Sequence, residues 1–350
     1  MKLKLFVGVL LCLILLYFSY FGLGSSTDKV VIATNSDEEA ITVMEKTLDQ
    51  HGFKGEYIIQ PHSTAELGGK MIAEGKNIEA DVVTQSTYYL ESAQDKNNMF
   101  ASMEAEKQKK AIDSFPNYIT PLLGNMGSLF VNTKALEKQG LPIPKTVKDL
   151  TQPQYKNQIA MPNIMESSTG WLVIQSILGQ YGNDEGSKIL EKLIDNTGPH
   201  LESSGSGPLK KVESGEVAVG IGLRAQAVKS EQNGNPIHFI DPKEGNYSLV
   251  EAAAVVNKGG KKQQKAQEMI QTIQQHGRED LLKTYPVPLY QGEGVEKAQK
   301  PKHPKKWDER LTVELLEKHQ DIFNDAKKLV ENLGGNISVC SKEGEGSTFC

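Results

Sequence analysis

The stretch KVVIATNSDEEAITVMEKTLDQHGFKGEYIIQPHSTAELGGKMIAEGKNIEADVVTQST, residues 29–87, decides the fold. Three short runs in it read as strands: Val30-Val31-Ile32-Ala33-Thr34, Glu56-Tyr57-Ile58-Ile59 and Ala80-Asp81-Val82-Val83. Between the first two, Asn35-Ser36-Asp37-Glu38-Glu39 opens a helix with Ser36 and Glu39 at capping-box spacing, and Ile41, Met44 and Leu48 form its apolar face. His62-Ser63-Thr64-Ala65-Glu66 repeats the device above Leu67, Met71 and Ile72. Strand, helix, strand, helix, strand marks an α/β unit with a parallel sheet. Thr84-Gln85-Ser86-Thr87 is expected as the polar exit loop of the third strand.

Working outward, a β-rich segment over residues 118–131 is placed to leave this unit as one hinge strand. After the Pro-rich connection Leu141-Pro142-Ile143-Pro144, the α/β pattern resumes with a strand at Gln158-Ile159-Ala160-Met161, a helix over 171–181 and a strand over 216–223. The apolar run 248–257 is expected to return the chain to the first unit, where 265–276 and 308–331 read as amphipathic helices. The expected division is a discontinuous first lobe over 28–122 plus 255–333 and a second lobe over 123–254. A length of 350 residues fits two such lobes of roughly 100 to 200 residues each.

Several segments, taken in order, carry a family likeness. They are Ala80-Asp81-Val82-Val83, the span from Leu141-Pro142 to Asp149-Leu150, and Tyr155-Lys156-Asn157-Gln158-Ile159-Ala160-Met161-Pro162. Ser167-Ser168-Thr169-Gly170, Gly215-Glu216-Val217-Ala218-Val219-Gly220-Ile221 and Asp241-Pro242-Lys243-Glu244-Gly245 follow. Together they resemble the extracellular solute-binding proteins of the ferric iron and 2-aminoethylphosphonate transport class. The resemblance implies an α/β, two-lobed type II periplasmic-binding-protein fold with a hinge and an interlobe cleft. It also implies a small solute bound in that cleft and an ABC transporter permease at the membrane as partner.

The chemistry expected of the cleft comes from hydroxyl-rich loops at strand-to-helix junctions, because helix N-termini offer unpaired N–H groups to anions. These loops contain Ser36, Ser63 and Thr64, the set Ser167, Ser168, Thr169 and Gly170, and Ser204 and Ser206; Ser86 follows the third strand. Any one of these serines is accounted for by helix capping alone. Two such loops in each lobe point instead to an oxyanion such as a phosphonate or phosphate ester. Arg224, at the end of a second-lobe strand, is expected to pair with that anion, and Tyr285 is expected near the cleft. Glu166, Asp241 and Tyr247 are the candidate neighbours of an amine on the solute. Ferric ion is the alternative cargo; the resemblance associates it with adjacent second-lobe tyrosines, but residues 220–228 contain none and Tyr88-Tyr89 lies in the first lobe, where packing explains it.

Other classes are disfavoured. A formal net charge of −5 gives nucleic acid no basic face. The 7 histidines show no metal-ligand spacing, residues 28–339 contain no cysteine, and no catalytic constellation emerges. No enzyme activity, cofactor or metal is therefore expected. At the N-terminus, Lys2 and Lys4 precede an uncharged apolar run over 5–23, so residues 1–24 read as a signal peptide cleaved near Gly22-Leu23-Gly24 or as a retained anchor. Cys12, preceded by Leu11, is a poor lipid-attachment site. The tail 334–350 resembles the last glycine box of a sensor histidine kinase ATPase domain, which raises a membrane-tethered ligand sensor acting on a partner kinase as a further reading. Without the rest of such a domain, no nucleotide pocket is expected, and the tail is expected to pack poorly.

Overall fold

The computed structural model describes residues 29–104, 108–333, 339–342 and 345–349. The expected export segment and residues 334–338, 343–344 and 350 of the glycine-rich tail lie outside these residues.

The chain opens with β1 (Val30–Thr34), α1 (Glu38–Gln50), β2 (Tyr57–Pro61), α2 (Thr64–Glu74), β3 (Val82–Ser86) and α3 (Thr87–Asn97). β1 lies between β2 and β3 and pairs parallel with both. Met44 and Leu48 of α1 are buried against Val30 and Ile32 of β1, each burial worth about 1.5–3 kcal/mol. β3 ends later than its apolar core suggests. Its last residues Thr84, Gln85 and Ser86, expected as a loop, pair in register with residues 251–253 of a later strand, and this ladder extends β3 to the start of α3.

Two long strands carry the sheet from one half of the molecule to the other: β4 (Thr120–Asn132) and β9 (Asn246–Val255). The first half of β4 pairs with β9, and its second half pairs with β7 (Val219–Leu223) and β8 (Ile237–Ile240). β5 (Ile159–Pro162) and β6 (Leu201–Glu202) extend the second half in parallel with β7. The whole forms a 10-stranded mixed sheet, with the short β10 (Pro304–Lys305) paired to β9. The helices of the second half are α4 (Thr133–Gln139), α5 (Ser168–Thr197), α6 (Gly207–Ser214) and α7 (Arg224–Gln232). α5 changes direction at Gly182, whose φ of 70° suits a residue without Cβ.

After β9, α8 (Gly260–Thr272) and α9 (Arg278–Thr284) follow, joined by a π-helical turn, Ile273–Gly277. Ile270, Ile273 and Leu281 complete the core around Met44 and Leu48 of α1. The last long helix, α10 (Val313–Leu333), behaves differently from the sequence assignment, which placed all of 255–333 in the first lobe. It packs chiefly on α5: the buried Trp171 Nε1 donates to His319 Nδ1 at 2.8 Å, and Gln320 Nε2 donates to the carbonyl of Ile164. The described part of the tail, β11 (Val339–Lys342) and β12 (Glu345–Phe349), forms a two-stranded antiparallel ladder apart from the main sheet.

Candidate functional site

A cavity of about 450 Å³ lies between the two halves, at the end of the sheet where the strand-to-helix loops gather. First-turn residues of four helices reach its wall, those of α1 and α2 from one side and those of α5 and α6 from the other, while α7 lies alongside with the lateral face that carries Gln226, Lys229 and Ser230. The four leading N–H groups of a helix have no intrahelical acceptor, so this convergence concentrates positive backbone potential on one space.

Most residues singled out in the sequence meet here. Ser36, Ser63, Thr64, Ser167, Ser168, Thr169, Ser204, Ser206 and Tyr285 all line the cavity. Part of this hydroxyl set is committed to capping, as the simpler reading required. Ser63 Oγ accepts from the Glu66 N–H, Ser167 Oγ from the Thr169 N–H and Ser204 Oγ from the Gly207 N–H. At α1 the cap is Asp37, not Ser36: its carboxylate accepts from the Ala40 N–H at 3.3 Å, one residue later than the capping-box spacing implied. Ser86 sits one layer behind the wall and donates to Glu251. Gly170 turns its backbone against the loop before α5, where an added Cβ would stand 2.5 Å from the Ile164 nitrogen.

Arg224 does not do what its position suggested. Its side chain is buried and bound to Asp241, with Nε to Oδ1 at 2.6 Å and Nη2 to Oδ2 at 3.1 Å. Its remaining donors reach the carbonyls of Gln299 and Lys300, and the guanidinium lies over the Phe239 ring. The group is a strut between α7, the loop after β8 and residues 299–300, and four of its five N–H donors are engaged there. Burial alone would raise the Asp241 carboxyl, but the Arg224 contacts outweigh it and hold it below the ordinary carboxylate value. Asp241 is thereby engaged as well, and Tyr247 packs beside Trp307, so of the three candidate amine neighbours only Glu166 lines the cavity. Tyr88 and Tyr89 belong to the core, Tyr88 edge-on to Trp171 with ring centres 4.8 Å apart.

The wall also holds residues that the sequence reading passed over. Glu251 of β9 is 4% exposed; Oε1 accepts from Ser86 Oγ at 2.7 Å and Ser168 Oγ at 3.2 Å, and Oε2 from Asn35 Nδ2 at 3.2 Å. Burial pushes its carboxyl above the ordinary value, the charge of Asp37 adds to the rise, and the three donors offset only part of it. Asp37 is raised too, first by burial and then by Glu39; the Tyr285 hydroxyl, which donates to it, pulls the other way, as do the Ala40 N–H and the charge of Lys210. Its second oxygen accepts from Gln226 Nε2 at 3.2 Å, a bond that crosses the cavity from α1 to α7. Tyr285 is held in place from behind, because buried Arg278 donates to the carbonyl of Val287 and pairs with Glu293. One signal for Glu251 was legible: it is the single charged side chain in the apolar run 248–257.

Among the lining residues six carboxyl groups, Asp37, Glu38, Glu39, Glu166, Glu213 and Glu251, stand against two lysines, Lys210 and Lys229. The site therefore combines helix N-termini and hydroxyls, which attract anions, with carboxyls, which attract cations.

Comparison with known proteins places this geometry in context. The bacterial extracellular solute-binding protein family matches residues 77–310. An uncharacterized protein of Haemophilus influenzae is 23% identical over 184 residues, a match that spans 50% of this chain and only 53% of that protein. Among solved structures, a periplasmic thiamin binding protein superposes with a TM-score of 0.71 at 18% identity, covering 88% of this chain and 98% of its own. The periplasmic binding protein AfuA from Actinobacillus pleuropneumoniae, with exogenous fructose-6-phosphate bound, gives 0.65 at 20% identity, covering 87% and 97%. Iron-bound HitA from Pseudomonas aeruginosa gives 0.64 at 18%, covering 87% and 99%. These likenesses establish the two-lobed type II periplasmic-binding fold, and the three proteins carry chemically unrelated cargoes on it.

Proposed function

The chain belongs to the bacterial extracellular solute-binding protein family, and from that premise we propose that it is the solute receptor of an ABC importer and holds a small oxyanion-bearing solute, a phosphonate or phosphate ester, between its lobes. In this reading it works outside the cytoplasm and delivers its cargo to a membrane permease. The observation that carries the proposal is the convergence of four helix N-termini and their hydroxyls on one cavity of about 450 Å³. A phosphonate or phosphate offers three acceptor oxygens, and free helix N–H groups with the hydroxyls of Ser36, Thr169 and Ser206 are suited to meet them. AfuA, whose bound fructose-6-phosphate is such an ester, lends support from a shared fold.

Ferric ion has less support. Its usual oxygen donors would be sought in Tyr88 and Tyr89, which are core residues, and among the described residues no three His, Cys, Asp or Glu side chains come together as a metal cage. The tethered-sensor reading rests on residues 5–23, which lie outside the described residues, and on the tail, which lies partly outside them; among the described residues no helix is long and apolar enough to cross a membrane.

A thermal-shift panel of 2-aminoethylphosphonate, inorganic phosphate, ferric ion and spermidine tests the proposal. A solute at 100 times its Kd stabilises the folded state by about 2.7 kcal/mol, a shift of several degrees. We expect the phosphonate to raise the melting temperature most. A rise with ferric ion alone, or none with either oxyanion, would overturn the ligand class.

A further inference from the structure

The oxyanion reading leaves one wall of the cavity unexplained. Glu251 is almost wholly buried, yet it is met by two hydroxyls and one amide, and Asp37 by a phenol, an amide and a backbone N–H. A buried carboxylate supported only by neutral donors pays a desolvation penalty that a cation removes. The same wall has more acceptors than donors. Asn35 Nδ2 is turned to Thr64 Oγ1 and Glu251 Oε2, and this orientation is fixed, because the flipped amide would set its oxygen against the carboxylate. Asn35 Oδ1 is thereby left without a donor, and Asn125 Oδ1, on the crossing strand β4, is also unpartnered.

Resting on the reading of this cavity as the solute site, we infer that Glu251 and Asp37, with the amide oxygens of Asn35 and Asn125 beside them, form a subsite for a protonated amine. The cargo is then zwitterionic, with its ammonium group against β9, β4 and the loop after β1, and its oxyanion against the first turns of α5 and α6. An ammonium group brings three N–H donors to a wall of acceptors, and its positive charge balances the excess of carboxyl groups. The raised carboxyls of Glu251 and Asp37 describe the same site when empty: the cavity favours a proton where the amine would sit. The titratable groups facing this pair are Tyr88 beside Glu251, and Glu39, Lys210 and Tyr285 beside Asp37.

The test compares two probes that differ by the amine alone. In calorimetric titrations of the full chain at neutral pH, 2-aminoethylphosphonate should bind at least about tenfold more tightly than ethylphosphonate. Glu251→Gln, which keeps the shape of the side chain, should remove most of that gap. Asp37→Asn should shrink the same gap, and the wild-type comparison needs no variant to fold. Equal binding of the two phosphonates would overturn the amine subsite and leave the oxyanion reading standing. Tighter binding of fructose 6-phosphate than of 2-aminoethylphosphonate would also overturn it, since hydroxyl donors would then satisfy the wall. Binding of spermidine through Glu251, with no phosphonate bound, would uphold the subsite and sink the oxyanion reading. If no amine-bearing probe bound, the inference would fail.

Discussion

Glu251 illustrates the conflict between stability and recognition at the scale of one residue. Its carboxyl is raised in the folded protein, so it stabilises when protonated: that contribution is full below the unfolded value of about 4.3 and is lost as pH rises through the raised folded value. Glu251→Gln has no such loss. The ligand-free variant should therefore melt above wild type at pH 8, and the gap should close as pH falls towards 5; a gap constant across that range would show that Glu251 does not titrate in it. Arg224 makes the contrasting case. With its Asp241 partner it is buried structure, and Arg224→Leu should cost about 3–5 kcal/mol by stranding a buried carboxylate. A melting-temperature drop with solute affinity kept in the folded fraction would agree with the strut; lost affinity without lost stability would return Arg224 to the site. These two residues also mark how far the sequence could be read. An arginine at a strand end resembles an anion ligand, and only the fold reveals Asp241, Gln299 and Lys300 waiting for it.

Among the elements, hydroxyl loops were legible because capping has a local signature, and the wall residues at Ser63 and Ser167 lie where their motifs placed them. Element ends were less legible. Thr84, Gln85 and Ser86 look like a loop in isolation, and only the distant β9 makes them a strand. The docking of α10 was hidden for the same reason, since amphipathicity says that a helix has a buried face and not which surface covers it. That docking is pH-sensitive. Burial, with the charge of Lys318 adding to it, lowers the His319 imidazole to about 4, and its unprotonated Nδ1 accepts from Trp171. A depressed group gives stability that is full above the unfolded value of about 6.5 and lost as pH falls through the folded one. The hydrogen-exchange protection of α10, taken relative to the intrinsic rate at each pH, should accordingly fall between pH 6.5 and 4; unchanged protection would separate the helix from this contact.

The whole molecule is two halves of one sheet on either side of a polar space, and the proposed function has both halves touch the same solute. The alternating strand and helix pattern made the two-lobed fold legible, whereas the carboxyls of the cleft depend on contacts such as Asp37 to Gln226, separated by 189 positions in the chain. That bond joins the two halves across the cavity. Gln226→Ala should weaken solute binding by about 0.5–1.5 kcal/mol, roughly three- to tenfold, chiefly through faster release, as stopped-flow dissociation would show. The central claim is that the hydroxyl-bearing helix N-termini between the lobes hold the cargo. It is tested most directly by calorimetric titration of 2-aminoethylphosphonate into wild type and the Ser168→Ala/Thr169→Ala double variant. The account predicts one solute per chain in wild type and at least about tenfold weaker binding in a variant that remains folded. Equal affinity in the two proteins, or no binding to wild type, would contradict it.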